Sequence, residues 1–208
     1  MGAAGPTEAR VILSDEGIRQ AIAAGDIEVD PSPQPDQYTT SAIDLFLGDG
    51  FWVWDKSKFD VPGVRVVLDL ADQEFQRTAR AYLVKETLDV DGAVVLPPYG
   101  SARCHPLLAI TRERVHLKHG ARLAARVEGR TSFARLGLLV HLTAPTIHAG
   151  CNGKITLEII NHGPFDLKLR PGRTRICQLI VERLESPPQV TIATAFQGQA
   201  SPTGSGQL

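Results

Sequence analysis

The chain is predicted to be a mainly β protein made of many short strands, with one short helix near its start. Three observations carry this. Short apolar runs separated by Gly, Pro and Asp follow one another from residue 41 to residue 181. The best of them, "KITLEIIN", alternates so that Ile155, Leu157 and Ile159 share one face and Thr156, Glu158 and Ile160 the other. A single segment, "SDEGIRQAIAAGDIEV", has helix punctuation at both ends.

That helix begins at Ser14 as N-cap, with Asp15 and Glu16 in its first turn, Ile18, Ala21 and Ile22 on one face, and Gly25 just past its end. "PSPQPDQ", residues 31–37, is a proline-punctuated connector. The runs after it are "SAIDLFL", "FWVW", "VRVVLDL", "GAVVLPP", "PLLAI", "RLAARV", "LGLLVHL", "KITLEII", "FDLKL" and "RICQLIV". "EFQRTARAYLVKETL", residues 74–88, fits helix or strand. Strands of this length and spacing suggest a β-sandwich, jelly roll or barrel. The chain is expected to divide into a flexible N-terminus (1–10), one β domain (11–190) and a mobile tail (191–208) rich in Gly, Ser and Gln.

A chain of 208 residues, 43% of them apolar, buries a real core and suits one domain better than two. The formal charge of −1 comes with no basic block, which argues against nucleic acid as the main partner and for a small ligand. Three cysteines, Cys104, Cys151 and Cys177, are odd in number and widely spaced, so a reducing compartment is expected rather than a disulfide framework. No apolar stretch has the length of a membrane span and the first residues lack a signal-like apolar region, so the expected location is cytoplasmic.

The polar residues point to chemistry. "GRTSFAR" places Arg130, Arg135, Thr131 and Ser132 within a turn or two of backbone N–H groups, a composition suited to phosphate, since guanidinium forks match phosphate oxygens and a helical start adds donors. The same residues also suit a plain surface turn capped by Thr131 or Ser132. Glu158, mid-strand beside Ile160, must be paired, solvated or functional. Trp52 and Trp54 share a strand face and suit packing or a subunit contact. His141 suits a pocket lining or a hydrogen-bonded core position, and Cys104 with His105 is a pair without further metal ligands.

Taken together, "VEGRTSFARLGLLVH", "TAPTIHAG", "GKITLEIIN", "SAIDLFLG", "RPGRTRICQLIVERLE" and "FQGQASPTGS" resemble, in order, the dCTP deaminase and dUTPase superfamily, with the opening helix and the "QGQ" tail closest to the deaminase branch. The resemblance implies a distorted jelly roll of the dUTPase-like β-clip type and a homotrimer with nucleotide sites between subunits. It implies that residues Arg130, Thr131, Ser132, Phe133, Ala134 and Arg135 cradle a triphosphate, that Thr156, Leu157 and Glu158 hold base and sugar, that His148 meets the sugar, and that Gln199 closes over the nucleotide. Glu158 would be the catalytic carboxylate, aided by Ser132 and Arg135, toward a water held by Ser132 or Thr131 and the backbone near Ala144. Magnesium would ride on the triphosphate of a deoxycytidine or deoxyuridine nucleotide. Zinc is not expected, because the sequence has neither an H-x-E motif nor a C-x-x-C pair.

Several positions depart from the family pattern. Thr131 stands where many relatives have serine, His148 where many have aspartate, and Cys151 where an aromatic is usual; Asp44 matches the first motif, where an inter-strand or inter-subunit hydrogen bond explains it. Ala195 and Phe196 occupy places where lysine and tyrosine are common. A neutral His148 is a poorer base than a carboxylate toward water near polyphosphate, which disfavours pyrophosphate hydrolysis. The expected activity is deamination of dCTP to dUTP; the alternatives are a dUTP pyrophosphatase or bifunctional enzyme forming dUMP, and a non-catalytic nucleotide-sensing trimer.

Overall fold

The computed structural model describes residues 12–63, 65–101, 106–191 and 197–203. Cys104, His105, Ala195 and Phe196, and the N-terminus before residue 12, lie outside these residues.

The opening helix, α1 (Asp15–Ala23), starts where the sequence places it: the Ser14 hydroxyl accepts the N–H of Gly17 at 3.2 Å. Ile18 and Ala21 are its buried residues, and Gly25 turns the chain at φ 73° into β1 (Ile27–Asp30). The remaining strands are β2 (Ile43–Phe46), β3 (Trp52–Trp54), β4 (Leu83–Lys85), β5 (Val94–Leu96), β6 (Leu107–Leu117), β7 (Leu123–Gly129), β8 (Leu138–Leu139), β9 (Thr146–Ile147), β10 (Asn152–Asn161), β11 (Leu167–Leu169) and β12 (Arg175–Arg183). Two further short helices are α2 (Phe75–Arg80) and α3 (Thr131–Ala134).

The strands form one sheet ordered β4-β3-β6-β10-β8, with β1 also paired to β6, a second ordered β2-β12-β7-β9, and a small pair β11-β5. Every pairing between named strands is antiparallel. The core lies between the inward faces of the two larger sheets and includes Ile43, Leu45, Leu107, Val115, Leu157, Ile159, Ile176 and Leu179. Burying each such aliphatic side chain contributes about 1.5–3 kcal/mol.

A buried polar knot ties the proline connector to this core. Glu113 is fully buried; its carboxylate accepts two guanidinium N–H groups of Arg112 at 2.6 and 3.1 Å, the N–H of Phe46 at 2.8 Å and, more distantly, the Gln37 amide. Gln37 also donates to the Asp44 carbonyl at 2.9 Å. A buried carboxylate needs such partners. Where the β6–β10 register shifts between Lys154 and Thr156, the Thr111 hydroxyl accepts the Ile155 N–H at 2.9 Å and donates to the Glu113 carbonyl at 2.7 Å.

The expected strand "VRVVLDL" does not form: residues 65–70 are irregular, with Val67 73% and Leu70 74% exposed. The undecided segment 74–88 holds both elements, α2 and then β4. "LGLLVHL" contributes only the two residues of β8. Conversely, "PLLAI" continues through "TRERVHL" to make the 11-residue β6. Among the described residues no helix is long and apolar enough to cross a membrane.

Candidate active site

β10 presents Thr156 and Glu158 on its outer face, both half-buried, while Ile155, Leu157 and Ile159 fill the core. Only the main chain of Leu157 can therefore serve a ligand. No described cation pairs with Glu158; its nearest polar partner is the N–H of Leu142, 3.5 Å from Oε2. Leu142 lies in the exposed loop 141–144, which also carries Ala144.

The tail borders the same face. Gln199 is 4% exposed, and its side-chain amide bonds the Thr156 hydroxyl and approaches the Lys154 carbonyl at 3.4 Å. Its main chain makes a parallel bridge to Gly153, where a Cβ would come within 3.0 Å of the Gln199 nitrogen. Glycine at 153 is what lets the tail lie this close.

The other predicted group sits on α3. Arg130 is its N-cap, and the Arg130 carbonyl accepts the N–H groups of Phe133 and Ala134 at 2.9 Å each. Thr131, Ser132, Ala134 and Arg135 are exposed. The two arginines differ. The Arg130 guanidinium turns inward, 3.5 Å from the buried Asp44 carboxylate and 3.5 Å from the Arg175 carbonyl, and lies 5.7 Å from the Phe133 ring centroid. Among the described residues the Arg135 side chain makes no hydrogen bond or ion pair. Behind the turn, Arg130, Phe133, Leu138, Arg173 and Arg175 line a cavity of about 440 Å³. The turn is fixed by a crossing of backbones: Gly137 (φ 88°) and Gly163 pass so closely that a Cβ on Gly163 would fall 1.8 Å from the Leu136 carbonyl oxygen.

His148 is exposed at the end of β9, and its carbonyl accepts the Cys151 N–H at 3.0 Å. Burial raises the Cys151 thiol above its ordinary range and raises that of fully buried Cys177 much further, so neither is a reactive thiolate. His141 is half-buried, with Nδ1 buried and without a hydrogen-bond partner among the described residues. Trp52 and Trp54 are both half-buried on β3. Asp44 makes the inter-strand bond expected of it: Oδ1 accepts the Gln178 amide of β12 at 3.0 Å.

Sequence reasoning did not single out Gln178, Arg175 or Gln197. Arg175 donates to Asp36 and lies 3.8 Å from Asp44, so it shares that carboxylate with Arg130. Its signal was an arginine opening the largely apolar run "RICQLIV". For Gln197 the signal was a second glutamine two residues from Gln199.

Thr156, Glu158, Gln199 and the loop carrying Ala144 therefore converge within one chain. The α3 turn does not join them: among the described residues no hydrogen bond or ion pair links residues 130–135 to Thr156, Glu158 or Gln199. Beside these groups lie Leu136, Leu139 and Leu142, 43%, 38% and 45% exposed. No three His, Cys, Asp or Glu side chains among the described residues are grouped to hold a metal ion.

A family model described as dCTP deaminase-like matches residues 12–184. The chain is 41% identical over 193 residues to a Rhodospirillum rubrum protein named dCTP deaminase, covering 92% of this chain and 89% of that one. It is 35% identical over 179 residues to a Methanobrevibacter smithii protein named "dCTP deaminase, dUMP-forming", covering 86% and 84%. Among solved structures, the 2'-deoxycytidine 5'-triphosphate deaminase of Agrobacterium tumefaciens has a similar fold, with a TM-score of 0.58 and 22% identity over 84% of this chain; the match spans 48% of that longer chain. The mainly β fold, the order of the motifs and these matches agree, and the chain belongs to the dCTP deaminase-like family.

Proposed function

We propose that this protein hydrolyses dCTP to dUTP and ammonia, supplying deoxyuridine nucleotide for thymidylate synthesis. The observation that carries the reading is Glu158, a half-buried carboxylate with no described counter-ion, on one strand face with Thr156 and the docked Gln199. In this scheme a water adds to C4 of the cytosine. Glu158 takes its proton and returns it to N3, then a second proton moves to the leaving amino group, so that the C4–N bond breaks and ammonia departs. Backbone donors near Ala144, with the hydroxyl of Ser132 or Thr131, hold the water and the developing negative charge. Thr156 and the main chain of Leu157 orient base and sugar, with His148 at the sugar hydroxyl.

The triphosphate binds across the exposed α3 turn, between Thr131 and Ser132 at its start and Arg135 at its end, while Arg130 stiffens the turn through Asp44. Magnesium enters with the nucleotide, held by phosphate oxygens and water; zinc has no part, since its H-x-E and C-x-x-C ligand signature is missing from the sequence. The site is completed in a cytoplasmic homotrimer in which one subunit's α3 turn faces another's β10. The exposed Leu136, Leu139 and Leu142 beside these groups support this. The tail, residues 191–208, covers the nucleotide.

Several relatives carry the name "dUMP-forming", so the product decides between two readings. Incubation with dCTP and magnesium, followed by chromatography, ammonia measurement and light scattering, is expected to give equal dUTP and ammonia, no dUMP, and a trimer. Ammonia with dUMP means the bifunctional enzyme; nucleotide binding without ammonia removes the proposal.

A further inference from the structure

We propose that Asp36, in the proline connector, is a positioning residue for the phosphate cradle: it holds Arg175 aside, so that the buried Asp44 carboxylate is left to Arg130, the residue from which α3 starts. Asp44 is 3% exposed, and its Oδ2 faces two guanidiniums, Arg130 at 3.5 Å and Arg175 at 3.8 Å. Its Oδ1 accepts the Gln178 amide at 3.0 Å. One carboxylate thus stands between two like charges. Asp36 supplies the second negative charge: its carboxylate pairs with Nη2 of Arg175, and its carbonyl accepts a hydrogen bond from Nη1 at 2.7 Å. The two arginines are balanced only when the connector is included.

The connector is in turn fixed to the strand that carries Asp44. Asp36 sits in a single tight turn, Pro35–Gln37, where the buried Gln37 side chain donates to the Asp44 carbonyl at 2.9 Å and accepts the Gln34 N–H at 3.0 Å. Phe46 of β2 pairs with Arg175 across the sheet, its ring centroid 5.4 Å from the guanidinium. Asp36 and Arg175 therefore meet on a rigid frame. On the other side of Asp44, Arg130 also donates to the Arg175 carbonyl at 3.5 Å, and its own carbonyl holds the Phe133 and Ala134 N–H groups at 2.9 Å each. Without the Asp36 charge both guanidiniums compete for Oδ2, and what Arg175 gains there Arg130 loses. The turn then loses the tie that sets where Thr131, Ser132 and Arg135 stand. The Asp36 side chain is 71% exposed, so its pair with Arg175 adds little to global stability, and its effect falls on the turn. Asp36 acts only through Arg175 and Arg130.

The inference rests on the reading of α3 as the triphosphate cradle, and its test separates the two. In Asp36→Asn, amide hydrogen exchange at Phe133 and Ala134 should quicken roughly threefold or more. The KM for dCTP should rise roughly threefold to tenfold, as coupling within one charge network allows, while kcat changes much less and the melting temperature does not move. Asp36→Glu keeps the charge and should stay close to wild type in both measurements. Arg175→Met removes the competitor for Asp44, so adding Asp36→Asn to it should alter neither exchange nor KM further. Unchanged exchange in Asp36→Asn overturns the proposal, and so does an Asp36→Asn effect that persists in the Arg175→Met background, since a connector that mattered only for packing would act with or without Arg175. Faster exchange with an unchanged KM is decided by Arg135→Ala. If that variant weakens dCTP binding, Asp36 has no role toward substrate and the proposal falls; if it too leaves binding unchanged, the cradle reading falls and the hold of Asp36 on the turn stands.

Discussion

β10 and α3 carry the two halves of the candidate site, and they are built in opposite ways. β10 is a ten-residue strand whose inner face is core and whose first half, as far as Thr156, is lined by the tail; the backbone that carries Thr156 and Glu158 cannot move without disturbing the core. α3 is a single turn whose Thr131, Ser132 and Arg135 are exposed, with Arg130 tied back to Asp44 and Phe133 packed against the core. The difference matches the chemistry assigned to each. A group that must meet one ring atom gains from rigidity, whereas a charged triphosphate is held by many weakly directional contacts and tolerates a turn that is completed by the ligand.

Three substitutions break or sharpen this contrast. Glu158→Gln preserves shape and removes the base. Turnover of dCTP should fall roughly 10²–10⁴-fold, the range of general acid–base catalysis, while nucleotide binding persists in calorimetry. Near wild-type ammonia release would remove Glu158 from the chemistry. One residue away, Leu157→Ala empties a core position and should cost about 2–5 kcal/mol of stability in chemical denaturation. The adjacent positions should thus separate cleanly into activity and stability. Arg135→Ala should leave the denaturation midpoint unchanged and weaken dCTP binding by about 1.5–3 kcal/mol, with dCMP binding far less affected. A loss of stability with unaltered triphosphate binding would make Arg135 structural and return α3 to an ordinary surface turn.

How much of this the sequence disclosed depended on whether the signal was local. Ser14 and Gly25 bracket α1 through contacts within a few residues, and they were readable. The faces of β10 were readable because its inner positions are uniformly apolar. β6 uses the same alternation, yet Thr111 and Glu113 are two of its inner residues, buried by partners distant in sequence, so only its first half, "PLLAI", was readable as a strand. "VRVVLDL" failed in the reverse sense: β-branched residues favour a strand only where a neighbouring strand takes their hydrogen bonds, and here none does. In the site, residue types such as Glu158 and Arg135 stood out through resemblance to a family. Their partners did not, because the sharing of Asp44 by Arg130, Arg175 and Gln178 arises from three segments far apart in the chain.

The crossing of Gly137 and Gly163 has a consequence for variation. Both glycines lie in connecting segments, where sequences usually drift freely. Here one extra carbon on Gly163 collides with the Leu136 carbonyl, and Gly137 adds a backbone angle that side chains resist. A saturation library selected for function should therefore show two isolated intolerant positions in otherwise permissive loops. Because each contacts the other's segment, a viable replacement at one should appear only with a compensating change in the opposite loop, so the pair would drift together or not at all.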